Sequence, residues 1–165
     1  MEKVDEALGC FFVSCKFKNV VDQLEWAFTG IYGPNSDRDQ RLLWEELAGI
    51  HSWWNVPWCI GGDFNIVRFP SERFGSYSFS FAMHEFSDFI SKRLIDLPIK
   101  EGNFTWSNSR EVALQSRLDR FLLSSNWEEN FSNICQRQLH RFTLKPLTNS
   151  FRRGKFSEGQ LTFPF

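Results

Sequence analysis

The stretch Trp58-Cys59-Ile60-Gly61-Gly62-Asp63-Phe64-Asn65 ends a short apolar run in two glycines, and a carboxylate and an amide follow with one residue between them. Such a run, bounded by glycines, reads as a buried strand. On extended backbone alternate side chains point the same way, so Asp63 and Asn65 are expected on one face of a strand end and Phe64 on the other. Gly61 and Gly62 let another backbone or a ligand come close. A charged acceptor beside an amide suits orienting a water molecule or holding a phosphate. For Gly62-Asp63-Phe64-Asn65 alone a plain turn is an equal reading, because Gly, Asp and Asn all favour turns.

Working outward from this strand, apolar patterning predicts strands over residues 9–17 and 24–32, joined by a hairpin loop at 19–23. Ser36-Asp37-Arg38-Asp39 has the form of a capping box and opens a helix over about 37–49, with Leu43 and Leu47 on one face and Asp37–Arg41 as an i,i+4 pair. Residues 66–79 read as a long irregular loop. Residues 81–92 read as a helix with Met83, Phe86, Phe89 and Ile90 in an apolar stripe, which suits a core better than a ligand site. Short strands are expected near 94–97, 103–107, 117–123 and 133–142, with a turn of helix at Trp127. Alternating strands and helices with interspersed hairpins predict a mixed sheet packed by helices.

The length of 165 residues sets a limit of one domain, and 42% hydrophobic residues supply a core for it. Nineteen Phe and seven Trp make that core, or an interface, unusually aromatic. A net charge of −1 does not announce a nucleic-acid partner, but its distribution is uneven. No acidic residue lies between Glu129 and Glu158, whereas Arg137, Arg141, Lys145, Arg152, Arg153 and Lys155 do. That stretch suits either phosphate contact or a solvated basic tail. Cys10, Cys15, Cys59 and Cys135 lack metal-binding spacing and read as reduced, buried thiols. The polar start Met-Glu-Lys-Val-Asp-Glu is unlike a signal peptide, and no apolar run nears the ~20 residues of a membrane span. The expectation is an intracellular protein, nuclear or cytoplasmic, that is neither secreted nor membrane-bound. Nothing in the sequence sets its oligomeric state.

Four elements in order give the chain a resemblance. They are Tyr32-Gly33-Pro34-Asn35, Gly62-Asp63-Phe64-Asn65, Phe104-Thr105-Trp106-Ser107-Asn108 and Ser116-Arg117-Leu118-Asp119-Arg120-Phe121-Leu122. Together they resemble the endonuclease/exonuclease/phosphatase superfamily over roughly residues 4–140. The surrounding Trp53-Trp54, Pro57-Trp58 and Arg68-Phe69-Pro70-Ser71-Glu72-Arg73 are similar to endonuclease domains of plant non-LTR retrotransposons. The resemblance implies an α/β fold, a partial deoxyribonuclease-I-like two-sheet sandwich of mixed strands with outer helices. It implies magnesium-assisted hydrolysis of a DNA phosphodiester at a site where strand ends converge. By the same resemblance Asp63 orients or deprotonates the attacking water and Asn65 fixes that carboxylate or a phosphate oxygen. Tyr32 lies beside the phosphate, Asn35 bonds one of its oxygens, Trp106 and Asn108 touch the nucleic acid or flank the pocket, and Asp119 holds a catalytic histidine.

The sequence departs from that pattern in two places. No Gln-Glu-Thr, the run that carries the family's metal-binding Glu, precedes Tyr32, and no Ser-Asp-His follows Asp119; Thr148-Asn149-Ser150 and His140 are poor substitutes. No metal ligand set is therefore assigned, and magnesium binding is in doubt. Residues 1–143 are expected to form an incomplete domain and residues 144–165 a poorly ordered basic tail. The functional expectation is the remnant of a metal-dependent DNA endonuclease, impaired in catalysis. The alternatives are a non-catalytic nucleic-acid-binding remnant and a pseudogene fragment without function.

Overall fold

The computed structural model describes residues 1–75, 77–100, 102–108, 114–131 and 134–137. Its strands are β1 (Glu2–Leu8), β2 (Phe12–Lys18), β3 (Glu25–Tyr32), β4 (Trp58–Asp63), β5 (Leu94–Asp96), β6 (Trp106–Ser107), β7 (Gln115–Ser116) and β8 (Asp119–Ser124). The helices are α1 (Asp37–Trp54), α2 (Phe81–Arg93) and α3 (Trp127–Asn130), and a 3-10 turn covers Pro70–Glu72. Six strands form one sheet in the order β1-β2-β3-β4-β8-β5, and β6 and β7 pair separately. Among the described strands only β3 and β4 pair in parallel, because α1 carries the chain back across the sheet between them. The α/β class, with mixed strands in two sheets and helices outside, agrees with the sequence expectation.

Each face of the large sheet has its own core. Ala27, Ile31, Trp58, Ile60 and Leu122 point to the helices and pack with Leu43, Trp44 and Leu47 of α1 and Phe86 and Ile90 of α2. Trp26, Cys59 and Leu123 point the other way, where Trp127, Leu97, Phe131 and Ile134 cover them. The Met83, Phe86 and Ile90 stripe is buried, as core. Buried hydroxyls fix the register on the helical side. Ser14 and Thr29 hydroxyls share a hydrogen bond of 2.6 Å, and Trp58 Nε1 donates to Thr29 Oγ1 at 2.8 Å.

Several expectations are corrected. No strand is expected before residue 9 from the sequence, yet the acidic N-terminus forms the edge strand β1, paired antiparallel with β2, and Gly9–Phe11 is the turn between them. Its burial is slight, so polar side chains are tolerated on both faces and hide the strand from periodicity. α1 runs on to Trp54 and stops where Asn55 takes a left-handed conformation, φ 45°. Its start follows expectation, with Ser36 Oγ accepting from Asp39 N. Arg41 does not pair with Asp37; it reaches α2, 3.5 Å from Glu85 and over the Phe81 ring. Cys10 is exposed and only Cys59 is fully buried; all four cysteines are free. Of the strand expected at 133–142, Gln136 makes a parallel bridge to Ile99. Residues 134, 135 and 137 are not in a strand, and 133 and 138–142, with His140, Thr148-Asn149-Ser150 and the proposed tail, lie outside the described residues.

Candidate active site

Three adjacent strands end together at one edge of the sheet. Tyr32 is the register partner of Asp63 on β4, and Asp63 is the register partner of Asp119 on β8. Neighbouring strands lie about 4.8 Å apart, so these residues form one row. Alternation places their side chains on the face of Phe28, Cys59 and Phe121, away from α1 and α2. Tyr32 is 68% exposed, whereas Asp63 and Asp119 are half-buried.

Two glycines allow the row to form. Gly62 has φ 141°, and a Cβ there would sit 2.1 Å from Ile31 O on the paired strand. A Cβ on Gly33 would lie 2.3 Å from Phe64 O. The two strand ends therefore touch backbone to backbone, and Gly33 N donates to Asp63 O at 2.6 Å.

Asn65 does not simply share the strand face with Asp63. β4 ends at Asp63, and Asn65 turns the chain with φ 52°. Its backbone N–H donates to Asp63 Oδ1 at 2.8 Å, and its side-chain Nδ2 donates to Gly33 O at 2.6 Å. Strand and turn are thus both correct readings of Gly62-Asp63-Phe64-Asn65. Asn65 acts on both elements, aiming the Asp63 carboxylate and tying down the Tyr32-Gly33-Pro34 corner. Phe64 is buried on the helical side with Trp44 and Phe86.

Asn35 lies exposed just past that corner, before α1. Trp106 is 44% exposed on β6. Asn108 uses its side-chain oxygen within its own hairpin, where it accepts from Leu114 N at 2.6 Å.

Sequence reasoning assigned no role to Thr105 or to the arginines around Asp119. Thr105 Oγ1 accepts from both Leu118 N and Asp119 N, each at 2.9 Å, and so clamps the start of β8. Beneath the row lies an ionic cluster. Arg120 is fully buried and bonds Glu72 and Asp96, with 2.7 Å to Asp96 Oδ2. Arg117 Nη2 reaches Asp96 Oδ1 at 2.9 Å, and its Nη1 lies 3.4 Å from Glu72 Oε1. Glu72 also accepts from the backbone N–H of Arg68 and Phe69. The available signal was alternation: if Asp119 faces the site, Arg120 must face the core, and a buried Arg needs carboxylates.

The electrostatics separate the carboxylates. Burial pushes Asp63 above the usual carboxylate range; the Asn65 N–H pulls against this and the Asp119 charge adds to it. Burial also opposes ionisation of Glu72, but Arg120, through its hydrogen bond and charge, and the two backbone N–H groups hold its pKa below the ordinary value. A raised folded pKa means that the stability tied to Asp63 is fully present below its unfolded pKa and is lost as pH rises through the folded one. Asp63→Asn is therefore expected to raise Tm at neutral pH, with the gain vanishing on acidification through the carboxylate range. Calorimetry of both proteins across pH checks this, and a variant less stable at pH 7 contradicts it.

Among the described residues no group of three or more His, Cys, Asp or Glu is placed to hold a metal ion. The row offers two carboxylates, Asp63 and Asp119, beside the amide of Asn65; these are the groups that would hold a magnesium ion, which takes six oxygens, keeps several waters and needs one or two carboxylates from a protein.

The sequence model described as the Endonuclease/Exonuclease/phosphatase family matches residues 3–134. The chain belongs to the endonuclease/exonuclease/phosphatase family. Similar solved structures of the fold include the endonuclease domain of TRAS1, a telomere-specific non-LTR retrotransposon. It has a TM-score of 0.58 and 13% identity, over 78% of this chain and 57% of that one. A 3′ phosphatase from Neisseria, bound to product DNA hairpin, has a TM-score of 0.60 and 15% identity over 82% and 60%. A β-hairpin deletion mutant of β toxin from Staphylococcus aureus has 0.57 and 16% over 91% and 55%. Another β toxin structure, with a TM-score of 0.50 and 16% identity over 79% and 47%, holds bound magnesium ions. The chain thus spans about half to three-fifths of the length of these structures. No curated protein sequence matches it. Among the described residues no helix is long and apolar enough to cross a membrane.

Proposed function

We propose that this family member derives from a retrotransposon DNA endonuclease of the plant type, and that its 165 residues hold the nucleic-acid side of the site with the cleavage step impaired. The observation that carries the reading is the row of Tyr32, Asp63 and Asp119 across three strand ends. In that row Asp63, aimed by Asn65 N–H, orients the attacking water, and its raised pKa suits proton acceptance. Tyr32 and Asn35 face the scissile phosphate. Trp106 and Asn108 border the path of the strand, and Asp119 stands where a histidine would be oriented. The family and the TRAS1 likeness support phosphodiester chemistry and the retrotransposon link. Such a domain would act on nuclear DNA inside the cell.

The impairment is read from the sequence, in which these 165 residues carry neither the Glu of Gln-Glu-Thr nor the Ser-Asp-His that supply a metal ligand and an imidazole to the family's cleavage step. Losing one such donor costs about 10²–10³ in rate in a well-studied protease. Supercoiled plasmid incubated with the protein and magnesium is expected to show no nicking above a buffer control. Nicking that Asp63→Ala removes would overturn the impairment. A non-catalytic nucleic-acid-binding role is the second reading, favoured by the exposed Tyr32 and Trp106 beside the row.

A further inference from the structure

The segment that leads from β4 into the first turn of α2 carries more exposed aromatic surface than its packing needs. From Phe69 to His84 it holds Phe69, Phe74, Tyr77, Phe79 and Phe81, and its one carboxylate is Glu72. Phe74, Tyr77, Phe79 and Phe81 are 51% to 95% exposed. Several of these rings touch. Phe69 meets Phe79 edge-on at 6.3 Å, Phe79 stacks on His84 at 5.0 Å, and the Arg68 guanidinium lies 4.9 Å from the Phe69 ring centre. Glu72 turns inward to Arg120 and Arg117, so the charge this segment shows outward is that of the exposed Arg73.

The segment is joined to the strand that leads to Asp119. Arg73 bridges Ser116, Phe74 N donates to Gln115 O at 2.9 Å, and Arg117 N donates to Glu72 O at 2.9 Å. Ser116 also pairs with Trp106, so Arg73 and Trp106 flank it on either side and share its face. An exposed ring surface with one outward cation and no outward carboxylate within residues 69–84, joined through Arg73 and Ser116 to the strand that leads to Asp119, matches bases that offer their flat faces and a backbone that offers phosphates. Paired bases keep those faces inside the duplex stack, whereas unpaired bases expose them.

We infer that the 69–84 segment is a stacking platform for single-stranded nucleic acid, on which unpaired bases lie against Phe74 and Phe79 while Arg73 holds a phosphate. This rests on the proposed nucleic-acid role and names the form of substrate that the site takes.

The test is a binding comparison in chelator, so that cleavage does not enter. A fluorescent DNA single strand of about 12 nucleotides, within the range of known single-strand sites, is titrated beside its duplex. The full chain is expected to bind the single strand more tightly. Phe74→Ala and Phe79→Ala are each expected to weaken that binding by about 5- to 150-fold with duplex binding unchanged, while Phe79→Tyr retains it. Phe74 is 57% exposed, so its alanine variant should melt like the parent, whereas Phe79→Ala also loses contacts with Phe69 and His84; melting curves and Phe79→Tyr separate a stability loss from a binding loss. Tighter duplex binding, or alanine variants that bind the single strand as the parent does, overturns the platform. Absence of nicking, or its presence, bears only on the cleavage reading and leaves this comparison intact.

Discussion

Arg120→Met is expected to destabilise the protein by about 3–5 kcal/mol, the usual cost of removing one member of a buried ionic group. Arg120 is fully buried and bonds both Glu72 and Asp96, which tie the segment after β4 and strand β5 to β8. Without it, two largely buried carboxylates keep Arg117 and Arg68 as ionic partners and, on Glu72, the backbone N–H groups of Arg68 and Phe69. Arg120→Lys should recover little, because an ammonium cannot fork to two carboxylates as a planar guanidinium does. Urea denaturation measures the loss, and a difference under about 1 kcal/mol would mean that water already screens the cluster. The pH dependence follows from Glu72. Its folded pKa is depressed, so its stabilising contribution is present above the unfolded value and lost as pH falls through the folded one. The parent should therefore lose stability on acidification more steeply than Glu72→Gln, which starts lower at neutral pH.

Gly62→Ala is expected to cost about 2–5 kcal/mol, combining a positive φ that other residues resist with a backbone clash. The added Cβ would stand 2.1 Å from Ile31 O, an atom of the paired strand that no rotamer change can move aside. β3 and β4 would have to separate at Tyr32 and Asp63, the centre of the row. Thermal unfolding with DNA-binding measurements on the same sample checks both effects. A variant that melts with the parent would mean that the strand ends are looser than their hydrogen bonds imply.

Much of the local structure was legible in the sequence. The helix starts at Ser36 and the stripe of α2 were readable because capping and 3.6-residue periodicity are short-range physics. β1 was not, because an edge strand with little buried surface carries no alternating pattern. The far end of α1 was missed because Asn55 ends it by adopting a left-handed conformation, which Asn shares with ordinary loop positions. Alternation fails to place Asn65 on the face of Asp63 because it runs two residues past the end of β4. The turn that redirects it is stabilised by Gly33, which lies distant in sequence.

The sequence by itself determined α1, α2, strands β2 to β6 and β8 in their order, and the residue types at the strand ends, because both follow from local propensity and motif spacing. Only the tertiary structure decided that Tyr32, Asp63 and Asp119 form one row, since long-range pairing sets register and no local signal reports it. The same holds for Glu72. In the sequence it is one charge in an irregular loop; in the fold it is the partner of an arginine 48 residues away, and burial makes that pairing obligatory.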